Sequence, residues 1–472
     1  MTRKRREQAV IAVNRFGLGA RPGELEEVAR DPREWVLAQL EKPASAGKAL
    51  DRLPDSQDYQ KRFTEWRQRF YAARRAAEKN NGEADEPGFG QTFRQELLDE
   101  VNLRAAWQCE TPSPVMERLV MFWSNHFTVS AEKQMLRLLA GSMEREVIRP
   151  GMSGDFASML LAVEQHPAML LYLDNIQSIG PDSPAGRRQN QMAEKKGKPK
   201  RGLNENLGRE ILELHTLGVD GGYQQQDVEE LARGITGWRP WFASRKAPKL
   251  GEHGSVFVNS LHQPGERVLL GRNFEQKGAV QGRSMLRHLA SRPETAGFVA
   301  HKLARHFVAD EPPKALVKKL ASIYQSHQGK LLPVYRALFT SEEAWQPGAP
   351  KFRRPDEYLI AVHRALNHQP DVKRGRWRAE MKLLGQLPFQ PGAPAGWGDR
   401  AGDWIGADGL WKRVWMALRY GRYLDKDIDP MELALASIGP ALSEETSLAI
   451  STAANHRQGA ALVLASPEFQ WR

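Results

Sequence analysis

Residues 204–238, NENLGREILELHTLGVDGGYQQQDVEELARGITGW, carry the pattern that decides the fold class. Leu207, Ile211 and Leu214 recur at helical spacing within 205–217, and a second helix is expected over 226–237. Between them Gly218-Val219-Asp220-Gly221-Gly222 supplies glycines that stop one helix and turn the chain into the next, so the stretch reads as a helical hairpin. Outward from it, helical periodicity fills most long windows. Towards the N-terminus it marks 58–79, with Phe63, Trp66, Phe70 and Ala73 on one stripe before Asn80-Asn81-Gly82, then 94–108, 113–122, 132–145, 155–163 and 167–173. Towards the C-terminus it marks 278–289, 294–307, 314–327, 332–338, 356–365, 376–387 and 410–420. Strand signals are confined to 255–259 and 267–270, short aliphatic runs flanking His262-Gln263-Pro264-Gly265 that read as one hairpin. The expected fold is therefore mainly α, a multi-helical globular protein with a small inserted β-hairpin. Its parts are an N-terminal helical half (1–178), a basic flexible loop (179–203) and a C-terminal helical half (204–472), together one composite domain. The Pro- and Gly-rich segment 388–403 carries Trp397 and runs into Trp404; a loop that keeps large aromatics is expected to be packed down.

With 472 residues, 41% of them hydrophobic, the chain can bury a substantial core without covalent staples. The single cysteine, Cys109, excludes an intramolecular disulfide and any Cys-rich zinc site. The basic start Thr2-Arg3-Lys4-Arg5-Arg6 resembles the beginning of a secretion signal, but the apolar run Ala9–Val13 is broken at Asn14-Arg15. No run of eighteen apolar residues occurs, so a soluble protein is expected, with the cytoplasm as its default compartment. The net charge of +11 is lopsided: Arg187, Arg188, Lys195, Lys196, Lys198, Lys200 and Arg201 face only Glu194, which accounts for about half of it. Segment 187–201 reads either as a solvated loop or as a docking site for an anionic polymer, without interleaved aromatics for base stacking.

On the central helix Asn206, Arg209, Glu210 and Glu213 fall at i, i+3, i+4 and i+7 and share one face. Two readings stand. In one, the stripe is the solvent face of an amphipathic helix, with Arg209 paired to Glu213. In the other it lines a cleft, where two carboxylates one turn apart bind a divalent cation or act as acid and base and Arg209 holds an anionic group. His126, in Trp123-Ser124-Asn125-His126-Phe127, is either a hydrogen-bonded core residue or, if it meets Glu210 and Glu213 in space, the third ligand of a zinc, manganese or iron site. Asn125, Asp227, Arg233 and Trp238 are candidate substrate-binding groups beside it. Each has a plain structural reading: Asp227 as a first-turn residue stabilised by the helix dipole, Trp238 and Trp397 as packing anchors, Asp174-Asn175 as a helix stop.

No Walker loop, GxGxxG, GxSxG, CxxC or HExxH pattern is present, which argues against the familiar ATPase, dehydrogenase and serine-hydrolase classes. A resemblance does emerge. Asn14-Arg15-Phe16-Gly17-Leu18-Gly19, Phe122-Trp123-Ser124-Asn125-His126-Phe127, Pro167–Asn175, the central 204–238 block, Lys302-Leu303-Ala304-Arg305-His306-Phe307, Gly396-Trp397 and Ser466-Pro467-Glu468-Phe469-Gln470 together resemble the bacterial family called domain of unknown function 1800. Similar proteins usually have Ala at Gly208, Asp at Gln263 and Lys at Arg267; the glutamine puts an acid role at that loop in doubt. The resemblance implies no activity. It implies a partner, because genes of this family often lie beside those of sulfatase- and alkaline-phosphatase-like proteins. Two functions are then open: a metal- or carboxylate-dependent enzyme with its cleft along the 204–238 hairpin, or a non-catalytic scaffold or maturation partner of a sulfatase-like protein. The first expects Glu210, Glu213 and His126 around a pocket; the second expects self-satisfied charges and an extended apolar or basic surface.

Overall fold

A computed structural model of the chain describes residues 2–42, 46–80, 86–197, 199, 202–243, 252–347, 351–371 and 375–472. Helices begin where the sequence supplies a cap: Asp31, Asp155, Ser183 and Ser466 accept first-turn N–H groups through their side chains. Proline, whose missing N–H costs nothing in the first turn, opens the helices at Pro114, Pro293 and Pro355. The expected helices are present with shifted ends, among them Ser56–Asn80, Arg94–Glu110, Pro114–His126, Phe156–Gln165, Pro293–Phe307, Pro355–Ala365 and Ala407–Tyr420. Asn81 and Gly82, read as ending the first of these, lie outside the described residues. Helices at Arg3–Val10, Pro32–Leu40, Pro430–Ser437 and His456–Ala465 go beyond those expected. Each is only two or three turns, too short for a stripe to repeat.

The central helix differs from its α-helical projection. Asn206–Glu210 is α, but Ile211–Thr216 is a π-helix, with Leu217 N donating to the Leu212 carbonyl at 2.9 Å. Ile11–Phe16 and Glu144–Ile148 are also π. A wider turn accommodates an extra residue and rotates the residues downstream of it, and in all three a polar side chain at the turn is buried. Arg15 donates to the Ala344 and Gln346 carbonyls at 2.8 Å, Glu144 meets Arg149 at 3.0 Å, and His215 Nδ1 lies 2.7 Å from Glu164.

Two antiparallel two-stranded sheets accompany the helices. Both expected strand runs are strands, yet they do not pair with each other. β1 (Trp238–Pro240) pairs with β2 (Ser255–Phe257), placing Arg239 opposite Val256; β3 (Arg267–Leu269) pairs with β4 (Arg272–Phe274) across Leu270-Gly271. Both turn residues have positive φ, 50° and 75°, the geometry of a two-residue hairpin. The partner strands are three residues long, too brief to show alternation in the sequence.

The segment read as a basic flexible loop contains a helix, Pro184–Lys195, capped by Ser183 and seated through buried Ala185 and Gly186. Ala185 packs with Ile179 and Leu261 in a small core of its own. Its Ala, Arg, Gln, Glu and Lys content suits a helix as well as a loop, and Arg187 to Lys196 ride on it; Lys198, Lys200 and Arg201 lie outside the described residues.

Two larger cores organise the chain. One gathers residues from Ala9 to Trp345, with contributions from both sides of residues 179–203. The other joins Leu18, Ala105 and Met121 to Tyr358–Val362, Met416, Leu464 and Phe469. The sequence ends interlock: Arg353 N donates to Gln470 O at 2.9 Å, and Arg353 Nη2 donates to Asn14 Oδ1 at 2.6 Å. No helix among the described residues is long and apolar enough to cross a membrane.

Candidate functional site

Within the central stripe Arg209 pairs with Glu213, and it also reaches neighbours outside the stripe. Arg209 lies 3.2 Å from Glu205 and 3.6 Å from Glu213, and donates to Gln225 Oε1 at 2.8 Å. Asn206 is exposed, and its backbone N–H is taken by Asn204 Oδ1 at 3.0 Å. Burial raises the pKa of the half-buried Glu210 carboxyl, with His215 pulling the other way. Asp227 completes a capping box with Gln224 and accepts Leu270 N at 2.7 Å, so it pins the β3–β4 turn to the helix. Arg233 pairs with Glu229 and Glu230 on its own helix, not with Asp227. Trp238 is buried, and its carbonyl accepts from Asn175 Nδ2 at 3.0 Å. Gln263 makes a two-way pair with Asp182, donating to Oδ2 at 2.8 Å and accepting N at 3.0 Å, which a carboxylate there could not do at neutral pH.

His126 is held elsewhere. Its Nε2–H donates to the His215 carbonyl at 3.2 Å, and its ring packs among Phe122, Trp123, Phe127 and Phe156. Burial, Lys302 and His215 keep its pKa well below the ordinary range, so the ring is neutral. Among the described residues no three His, Cys, Asp or Glu side chains are grouped so as to hold a metal ion. His126, Glu210 and Glu213 therefore do not assemble the expected ligand set: the imidazole is turned into an aromatic shell and braces the π-turn.

Asn125 does what the sequence does not announce. It grips the 388–403 segment, donating to the Trp397 carbonyl at 2.9 Å and accepting the Trp397 N–H at 2.8 Å. Gly396 beside it has φ +81°, and a Cβ there would lie 2.5 Å from the Asn125 carbonyl oxygen. Gly396→Ala is expected to cost about 1–3 kcal/mol through strain and overlap, read as a lower urea midpoint with unchanged m-value.

Held this way, the loop delivers Asp399 to His306, whose Nδ1–H donates to both carboxylate oxygens at 3.1 and 3.2 Å. Burial lowers the His306 pKa to about 4 despite Asp399. Burial alone would raise Asp399, but His306, Lys351 and Arg354 hold it well below the usual carboxylate range. His306 Nε2 is buried without a partner, so the pair is not an open acid–base dyad. Lys351 bonds Asp310 and the Asp399 carbonyl, and Lys302 lies over the Phe298 ring at 5.4 Å. The blocks 122–127, 302–307 and 396–397 thus converge in space on residues that spacing along one helix could not reveal; their presence among the family-like blocks was the available signal.

Among the described residues, a concentrated apolar feature lies on the outer surface. On the Ala407–Tyr420 helix Trp411 is 71% exposed, Trp415 46% and Leu418 45%, with Leu410 and Val414 also exposed beside them. The opposite face buries Arg413, Met416, Ala417 and Tyr420. Arg413 donates to Gln470 Oε1 and the Arg353 carbonyl and lies over Phe352 at 4.4 Å, which explains how a charged residue occupies the inner face.

No curated protein and no solved structure matches the chain. One family model does, described as "Protein of unknown function (DUF1800)", and it spans residues 11–471. With essentially its whole length matched, the chain belongs to the DUF1800 family.

Proposed function

We propose that this chain is a non-catalytic helical binding protein that docks a sulfatase-like protein through the exposed face of its Ala407–Tyr420 helix. The observation that carries the reading is that face itself: Trp411, Trp415 and Leu418, at i, i+4 and i+7, turned to solvent while an arginine is buried beneath. Large apolar side chains at this spacing are the anchors with which a helix enters an apolar groove of a folded partner, and tryptophans dominate such interfaces. Arg419, over the Trp415 ring at 5.5 Å, adds a cationic edge. The partner is the one that the family's gene neighbourhood implies. The competing reading, an enzyme using the 204–238 hairpin, is less well supported: Arg209 is engaged by its neighbours, Asp227 caps its helix and holds the β3–β4 turn, Arg233 pairs along its own helix, and His126 is committed to the π-turn.

Trp411→Ala with Trp415→Ala is expected to weaken binding to the purified sulfatase-like protein by about thirtyfold or more, on the order of 2 kcal/mol. Surface substitutions of this kind should leave stability within roughly 0.5 kcal/mol. Sedimentation velocity on both proteins, alone and mixed, reads this out. The reading fails if the two proteins do not associate, if the folded double variant binds as tightly as the original, or if the face mediates self-association or vesicle binding instead.

A further inference from the structure

Three helices packed in the second core meet at a buried hydrogen-bonded chain. His363 comes from Pro355–Ala365, Glu380 from Arg376–Leu383 and Tyr420 from the end of Ala407–Tyr420, and all three side chains are buried. The chain starts at a carbonyl. His363 Nδ1 stands 2.7 Å from the His368 oxygen, in a turn also closed by His368 N donating to the His363 carbonyl at 2.9 Å. His363 Nε2 lies 3.1 Å from the Tyr420 hydroxyl, and that hydroxyl lies 2.6 Å from Glu380 Oε2.

The hydrogens of this chain can be counted. A carbonyl oxygen only accepts, so Nδ1 carries a hydrogen and a neutral His363 has a bare Nε2. Turning the ring over would set carbon against both the carbonyl and the hydroxyl. Two contacts remain, Nε2 to hydroxyl and hydroxyl to carboxyl, and the single Tyr420 hydrogen fills only one of them. The other needs a hydrogen on Nε2 or on Glu380. A neutral imidazole, a phenol and a carboxylate would leave two lone pairs facing each other in a dry core, which is costly.

We infer that His363, Tyr420 and Glu380 hold one shared proton, a pH-sensitive latch that ties the Ala407–Tyr420 helix to its two neighbours and opens as the pH rises. Burial decides where the proton rests. It brings His363 down to about 4, and it raises Glu380 against the pull of Tyr420, Arg419 and Arg376. Glu380 is then the acid, donating to Tyr420, which donates to His363. Arg419 Nη2 lies 3.3 Å from Glu380 Oε1 on the far side of the carboxyl. His368, Asp371, Arg376 and Tyr423 line an adjoining cavity of about 10 Å³, room for a single water that can carry the proton away. Burial, Arg376 and Arg422 lower the His368 pKa, so its ring adds no charge beside His363 at neutral pH. The latch lies beneath the Trp411 face and is independent of the partner proposed for that face.

Glu380→Gln tests this, because its amide can donate to Tyr420 from the same place as the protonated acid. A carboxyl raised on folding contributes stability that is fully present below its unfolded pKa, about 4.3, and is lost as the pH rises to the folded value. In urea unfolding the two proteins are therefore expected to coincide at about pH 4 and to part above it, by about tenfold in the folding constant for each unit the carboxyl is raised. At about pH 8 the variant should be at least roughly tenfold more stable than the wild-type protein. An ordinary Arg419–Glu380 ion pair predicts the reverse, a variant weakened at neutral pH. Infrared spectra read the proton directly: wild type minus Glu380→Gln at neutral pH should show the C=O stretch of a carboxylic acid. In Tyr420→Phe, whose acid has lost its acceptor, that band should shift. The latch is overturned if Glu380→Gln does not fold, if it is no more stable than the wild-type protein at about pH 8, if the two stability curves run parallel, or if the difference spectrum holds a carboxylate band instead.

Discussion

Glu357→Gln is expected to destabilise the fold by about 3–5 kcal/mol, the range found when one partner of a buried ion pair is removed. Glu357 is fully buried, and its carboxylate takes Arg118 at 2.5 Å, Arg472 at 3.0 Å and the Arg354 N–H at 3.0 Å. Replacing it with an amide leaves three buried guanidinium groups around a neutral side chain. Burial and Arg472 already push Arg118 down to about 9 against the pull of Glu357. The pH dependence has a definite sign. Burial works to raise Glu357, but Arg472, Arg118 and Arg354 hold it well below the ordinary range. A carboxylate depressed on folding contributes stability that is fully present above its unfolded pKa, near 4.3, and is lost as the pH falls towards the folded value. Urea unfolding from pH 7 down to about 3 should therefore show a flatter decline for Glu357→Gln than for the wild-type protein. Parallel curves, or a loss below about 1 kcal/mol at pH 7, would mean that the arginines are compensated by other groups.

Arg149→Leu is expected to cost a similar amount, about 3–5 kcal/mol, and its deficit too should shrink at low pH, here because the carboxylates left behind are raised in the folded variant. Arg149 lies between two buried carboxylates, bonding Glu117 at 2.6 and 2.8 Å and Glu144 at 3.0 Å. Burial tends to raise Glu144, and Arg104 and Arg149 overcome it, bringing the carboxyl down to about 2. Without Arg149, Glu144 keeps Arg104 and the Ser124 hydroxyl while Glu117 keeps the Trp107 indole N–H and no cation, and burial should raise at least one pKa above its unfolded value. A group raised on folding contributes stability below its unfolded pKa and loses it as the pH rises. The deficit of the variant should thus shrink as the pH falls below about 5. Adding Glu117→Leu should recover part of it, since an apolar pair replaces a buried charge left alone. A deficit independent of pH, or a double variant no better than the single one, would put the cost in packing instead.

Much of this architecture is legible in the residues. The apolar periodicity of 94–108 or 294–307 marks a helix because one face must be dry, and Asp155 or Pro293 suits its start because first-turn N–H groups need a partner or can be dispensed with. The Arg209–Glu213 pair was equally readable, since residues four apart on a helix are neighbours. Pairings between distant segments were not. Nothing in the runs at 255 and 267 states that each takes a three-residue partner other than the other run. Nor did composition separate a helix from a loop at 184–195, where the same residues suit both.

The candidate site followed the same division. Their place in the Trp123–Phe127 block singled out Asn125 and His126 as chemically interesting, but only the assembled fold decided that Asn125 clasps Trp397 and that His126 braces a π-turn. His306, Asp399 and Arg354 come from three separate segments, and their shared surroundings arise from packing rather than from any local motif. By itself the sequence determined the fold class, most helix positions and the family. Each of these rests on interactions within a few turns of chain, or on the order of residues along it. The tertiary structure alone decided which face of a helix is inside. The pattern Leu410, Trp411, Val414, Trp415, Leu418 reads as a core-facing stripe, yet it lies outside, while Arg413 is drawn inward by the Arg353 carbonyl, Gln470 and two aromatic rings. Periodicity fixes the angle between two faces; which of them meets the protein depends on partners in other segments, here 57 and 60 residues away, or on another chain.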